Sequence, residues 1–303
     1  MISLLLTNLL PLIGLIGLGY IAGRWLDVNL HSMAIIAIYI MAPMVNFGAV
    51  ARLDFNPAYM LLPVVIALIG AAMAVTAYKA GGMIFKDETR NLVAMASATG
   101  NTGYFGIPII MSLLGPQALG IYLLMNFALM ISEMVGYYLG SHGQGSWRKS
   151  LKKLFSLPVV YAIAAGLVWN ALNIPLPDIF MTWWERFTGA WVIIGMMLIG
   201  VALSKIERFR LNLRLLAFLF TTKHLLWPAA MYGFALIDQH WLHLFNEDIY
   251  KMMLVIGIVP LAGNTVAYAS QLDLRPGEAA MAVLLSTLFS VIYIPAIFWA
   301  LGI

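Results

Sequence analysis

Asn101 and Asn264 each sit in a Gly-Asn-Thr tripeptide, 163 positions apart, inside stretches otherwise apolar enough to enter a bilayer. An amide side chain there can replace backbone partners lost at a helix break, and it can also hydrogen-bond a ligand. The residues alone leave both roles open: orienting a ligand, or clamping two breaks together. Thr102 and Thr265 set hydroxyls beside them, although a threonine more often bonds its own helix. The first site reads Ala98-Thr99-Gly100-Asn101-Thr102-Gly103-Tyr104-Phe105-Gly106-Ile107-Pro108, and the second Pro260-Leu261-Ala262-Gly263-Asn264-Thr265. Gly100, Gly103, Gly106 and Gly263 permit a backbone break, or the close helix approach that small residues also serve. Pro108 and Pro260 each remove a helix hydrogen bond. Broken backbone at membrane depth survives only against protein or a watery cavity. Two interrupted spans at matching places in two halves point to a transporter's substrate site.

Lys223 is the least expected charge. It falls about 12 residues into an apolar span, about 18 Å from the span's end and too far for its stem to reach water easily. Such an ammonium must face a cavity or a partner. It can attract an anion, substitute for a coupling cation or titrate; the structural alternative is a salt bridge to Glu133 or a carbonyl clamp. Glu133, in the inner half of its own span, can carry a proton, ligate a cation or balance Lys223. His224 points to another helix face and reads as a packing residue. Asn46, Asn126 and Gln271 either line the same cavity or glue helices. His240 and His243 have a spacing that could suit a metal, but an interfacial loop is the favoured account of them.

Those residues must be positioned by membrane helices. Of the 303 residues, 62% are hydrophobic and 10% charged, with mean hydropathy +0.91; soluble domains average about 25% charged. The absence of cysteine excludes disulfides, thiolate metal sites and cysteine nucleophiles. No GxSxG, HExxH or Walker A pattern occurs, so neither an enzyme nor a bound cofactor or metal is expected. At roughly 20 apolar residues per span, ten spans are predicted: 2–23, 31–50, 57–84, 88–114, 116–140, 158–174, 180–203, 211–236, 248–271 and 277–302. Residues 2–23 read as a retained first span, not a signal peptide.

With the N-terminus outside, thirteen Lys and Arg fall in inner loops: Arg24; Lys79, Lys86, Arg90; Arg148, Lys149, Lys152, Lys153; Lys205, Arg208, Arg210, Arg214; and Arg275. Three, Arg52, Arg186 and Lys251, fall outside. That bias puts both termini on the non-cytoplasmic side. It also reads the net charge of +4 as topology rather than nucleic-acid binding. Trp183, Trp184, Trp241 and Tyr250 are expected in an outer aromatic belt.

The basic stretch 141–157 divides the chain into repeat 1 (1–140) and repeat 2 (158–303). Five spans is an odd number, so the second set is inverted relative to the first. The two asparagines then fall at matched depth in spans 4 and 9. The fold expected is an all-α membrane protein of two inverted five-helix repeats, with crossed, broken helices 4 and 9.

The GNTGYFGIP block, its counterpart VPLAGNTVAYASQ and the 5+5 layout resemble the auxin efflux carrier family in its short bacterial form. The resemblance covers essentially the whole chain. It implies a fold similar to bile acid/sodium symporters: spans 1, 2, 6 and 7 as a scaffold that often dimerises, and spans 3–5 and 8–10 as a transport domain. The family is one of organic-anion carriers, including plant auxin efflux carriers and bacterial malonate or malate transporters. Its motif positions match Asn101, Pro108, Pro260 and Asn264. The long central loop of many plant members is absent. Between Asp248 at its outer edge and Asp273 beyond its inner end the ninth span has no acid, while Lys223 adds a positive charge nearby, which departs from sodium-coupled relatives.

The expectation is therefore a secondary carrier in a bacterial inner membrane. It would move a small organic anion, a carboxylate first of all, by elevator-like alternating access. Asn101, Thr102, Gly103, Asn264, Thr265 and Lys223 would bind the anion; Glu133 and Lys223 are the candidates for coupling, a proton included. The rival readings are a passive channel or facilitator, an intramembrane enzyme, and a cation/proton antiporter with an essential acid.

Overall fold

A computed structural model describes residues 2–54, 56–141, 152 and 155–302. Most of the expected basic linker, with Arg148, Lys149 and Lys153, lies outside the described residues. Every regular element among them is helical: α1 (Ile2–Trp25), α2 (Leu30–Val50), α3 (Pro57–Ile84), α4 (Thr89–Ala96), α5 (Thr102–Leu114) and α6 (Pro116–Gly140) come first. There follow α7 (Pro158–Ala171), α8 (Asp178–Ser204), α9 (213–242), α10 (Glu247–Ile258), α11 (Asn264–Gln271) and α12 (Pro276–Ala300). Among the described residues six helices, α1, α2, α3, α6, α8 and α12, are long and apolar enough to cross a bilayer. This is a multi-pass helical membrane protein.

Asparagines start the helices. Asn29, Asn56, Asn212 and Asn246 each accept a backbone N–H from the first turn of α2, α3, α9 and α10. Such a cap contributes about 1 kcal/mol over alanine. Asp87 plays a related part before α4: it accepts the Thr89 N–H at 3.0 Å and pairs with Arg275 at 2.7 Å, tying the start of α4 to that of α12. Hydrogen bonding by Thr89, from its side chain first and its N–H next, and then the Arg275 charge hold its carboxyl below the ordinary value.

Three prolines shape the interior. Pro43, Pro108 and Pro228 each follow a widened, π-type turn: Ile36–Met41, Thr102–Gly106 and Thr222–Leu226. Proline has no N–H to donate and clashes with the carbonyl four residues back; a wider turn relieves both problems. Before Pro228 that carbonyl belongs to His224, and Tyr293 OH on α12 donates to it at 2.5 Å.

Small residues let helices meet backbone to backbone. α1 lies against α8, where a Cβ on Gly19 or Gly200 would overlap the main chain opposite. α3 packs on α6, where Ser132 donates to Ala67 O at 3.0 Å, and α2 packs on α7. Trp184 corrects one expectation. It does not join an aromatic belt but is fully buried under Arg52, donating to Val45 O at 2.9 Å over Gly48. Trp183 and Trp241 are exposed as expected.

Candidate functional site

Regular helix stops at Ala96 and resumes at Thr102; it stops again at Ile258 and resumes at Asn264. The two gaps touch. The Asn101 N–H donates to Pro260 O at 2.8 Å, joining one break to the other. A Cβ on Gly100 would lie 3.0 Å from the same carbonyl and 2.5 Å from Lys223 Nζ, so only glycine lets the chains pass this closely. Gly100, Pro260 and Gly263 thus lie at the breaks. Gly106 and Pro108 do not: both fall inside α5. Gly106 instead makes room for the Tyr122 hydroxyl, which donates to Thr102 O at 2.8 Å.

A helix that ends inside the protein leaves its last carbonyls without partners and carries partial negative charge there. One face of α9 answers both ends. Lys223 Nζ donates to Ile256 O, near the end of α10, at 3.2 Å. Trp227, four residues on, donates from Nε1 to Ser97 O, just past α4, at 2.9 Å. The ammonium also lies 4.6 Å from the Trp227 ring centre, a favourable cation–π distance. The loop between α10 and α11 is held from α12: Ser286 Oγ accepts the Leu261 N–H at 2.9 Å and bonds His224 Nε2 at 3.0 Å.

The opposite, N-terminal ends face a cavity of about 810 Å³, lined by residues 99–104 of the first break and 262–264 of the second. Asn46, Asn126, Glu133, Trp191 and Tyr268 complete its inner wall, and Asp27, His31 and Lys205 line its far end. Asn101 is 5% exposed, and its Nδ2 has no hydrogen-bond partner among the described residues. Asn264 Nδ2 donates to Glu133 Oε1 at 3.1 Å. Thr102 Oγ1 bonds Asn126 Oδ1. Tyr104 meets Trp191 of α8 edge-on at 5.4 Å, its ring lying over Gly195.

The structure therefore brings Asn101, Thr102, Gly103, Asn264 and Glu133 to one wall. Thr265 is buried, its N–H donating to Ala262 O, and is not on that wall. Lys223 stands behind the crossing, holding a carbonyl; Glu133 takes the Asn264 amide. Gln271 also lies off the wall, at the end of α11. His224 is a buried packing residue among Phe220, Phe289 and Tyr293. His240 bonds Leu236 O, and no group of three or more metal-binding side chains occurs among the described residues. Ser286 and Trp227 were not singled out from the sequence. Ser286, Thr287 and Ser290, clustered in one apolar span, were the available signal for the first; nothing marked the second.

No protein-family model matches the chain. A protein of Methanocaldococcus jannaschii described as an uncharacterized transporter is 25% identical over 277 residues, covering 88% of each chain. Membrane helices and a relative so described support a class: a multi-pass membrane transporter.

Proposed function

We propose that this protein is a secondary transporter of small organic anions, carboxylates in particular, working by alternating access. One observation carries the reading. Both C-terminal helix ends at the crossing are met by donors from α9, while both N-terminal ends open on the cavity. The aligned dipoles of the two helix starts favour an anion there. The Asn101 Nδ2, buried beside that wall and without a partner among the described residues, supplies a neutral donor.

The finer reading joins this site to the sequence pattern. The chain is taken as an auxin efflux carrier relative of ten spans in two inverted repeats. It would sit in a bacterial cell membrane with both termini outside, and dimerise through its scaffold. The pairing of α1 with α8 and of α2 with α7 fits a scaffold of spans 1, 2, 6 and 7. On that topology the cavity end bearing Asp27, His31 and Lys205 faces the cytoplasm.

Thermal-shift measurement on the purified protein with malonate, malate and indole-3-acetate tests the reading. A carboxylate that raises Tm in the wild type is expected to lose about tenfold or more in affinity with Asn101→Ala, the typical loss for one buried hydrogen bond to a charged group. Unchanged affinity in both Asn101→Ala and Asn264→Ala would remove the proposed site. In liposomes a carrier shows trans-stimulated exchange; its absence would favour a passive facilitator.

A further inference from the structure

Glu133 presents a difficulty for an anion site. Its carboxyl group shares the cavity wall with Asn101 and Asn264 and is only 8% exposed. Ionised, it places a negative charge beside the place proposed for a negative substrate, with little water to screen it. It also holds the Asn264 amide at 3.1 Å, occupying a donor expected to orient the anion. Resting on the organic-anion reading above, we propose that Glu133 is the coupling site: it takes one proton from the cavity when the anion binds, so that anion and proton cross together.

The exchange is balanced at the level of single groups. With Glu133 ionised and the site empty, Asn264 donates to it. Protonation removes the like charge and weakens the carboxyl as an acceptor. The Asn264 amide is then free to turn to the substrate carboxylate beside the unpartnered Asn101 amide. When the anion leaves, the proton leaves with it and the Asn264 contact re-forms.

Other titratable groups face this region. Tyr137 stands one turn along α6, in edge contact with Tyr268 of α11 at 5.2 Å, and both tyrosines neighbour Glu133. Tyr104 approaches from α5. Asp27, His31 and Lys205 line the far end, where Asp27 and Lys205 pair at 3.6 Å. Lys223 is on the other side of the crossing, engaged with Ile256 O. Of these, Glu133 is the acid that contacts a crossing asparagine.

The test is calorimetric titration of the purified protein with malonate, malate and indole-3-acetate in turn. It is run at several pH values above the anions' own carboxyl range, in buffers of differing ionisation enthalpy. The wild type is expected to take up one proton per anion and to lose about tenfold in affinity per pH unit on the alkaline side, as one linked proton requires. Glu133→Gln, a neutral mimic of the protonated acid, is expected to bind at alkaline pH as tightly as the wild type does at its lowest pH, without proton uptake. A wild-type affinity flat with pH overturns the proposal. So does a slope that persists in Glu133→Gln or disappears in His31→Gln instead. Binding in those cases leaves the organic-anion reading intact. If none of the three anions binds folded protein at any pH, that reading falls and the coupling falls with it.

Discussion

Lys223 and Trp227, one turn apart on α9, answer a problem that breaking a helix creates. Each broken helix leaves carbonyls pointing into protein, and each needs a donor. Lysine reaches one set, the indole the other, and the ammonium is stabilised by the ring between them. The arrangement depends on Gly100, because a side chain there would meet both the ammonium and Pro260 O. Gly100→Ala should therefore cost about 1 to 3 kcal/mol, the range for overpacking a filled site, and should weaken anion binding by separating the two breaks. Gly189→Ala is the matched control: a Cβ there meets nothing within 4 Å, and helix propensity makes it neutral or slightly stabilising, by up to about 1 kcal/mol. Chemical or thermal unfolding of the two variants side by side checks this; equal stabilities would mean the crossing has slack at Gly100. The glycine and the asparagines were legible in the sequence because helix breakers and amides are costly inside an apolar run unless the backbone opens there. The partners of Lys223 were not legible. Sequence placed a charge at membrane depth and offered Glu133 or carbonyls; only the approach of α10 decided for Ile256 O.

At the scale of elements, the three widened turns explain how prolines sit inside long helices without ending them. The turn before Pro228 matters most, because Lys223 and His224 lie within it. A regular α-helix would rotate Lys223 away from α10, since successive side chains differ by about 100° and a π-turn inserts one extra residue. Pro228→Ala restores the missing N–H and removes the clash. It is expected to raise Tm, since proline is about 3 kcal/mol worse than alanine inside a helix, and at the same time to weaken the anion-induced shift by misplacing Lys223. The contact of Tyr293 with His224 O opposes the tightening and limits the gain. A variant that is less stable yet binds normally would show that the wide turn serves packing alone. The prolines themselves were plain in the sequence. Their effect was not, because whether a proline kinks, ends or widens a helix depends on what receives the freed carbonyl. Segment starts were legible for α3 and α6, where Asn56-Pro57 and Gly115-Pro116 open the apolar runs. The burial of Trp184 was not, because it depends on Gly48 of another helix.

At the scale of the whole molecule, a carrier must expose its site to one side at a time. On the proposed mechanism the movement would pass where α5 meets α8: Tyr104 lies over Gly195 and against Trp191. That contact is aromatic on glycine, without an ion pair or backbone ladder to break, so sliding would cost little directional bonding. The native chain has no cysteine, which makes single-cysteine labelling clean. Leu198 on α8 lines the cavity between the crossing and the end bearing Lys205. In proteoliposomes, Leu198→Cys should react with a membrane-impermeant maleimide from the Lys205 face and be protected from the other. Adding a bound carboxylate should slow that reaction severalfold, as the ligand shifts the population toward closed or opposite-facing states in proportion to its preference for them. Gly195→Leu, which puts a side chain where the Tyr104 ring rests, should hold labelling at one rate with or without ligand. Equal labelling of Leu198→Cys from both faces would describe a pore rather than a carrier. It would leave the anion site in place while removing alternating access, because a site between two helix ends needs no moving body to attract a carboxylate, only to release it on the far side.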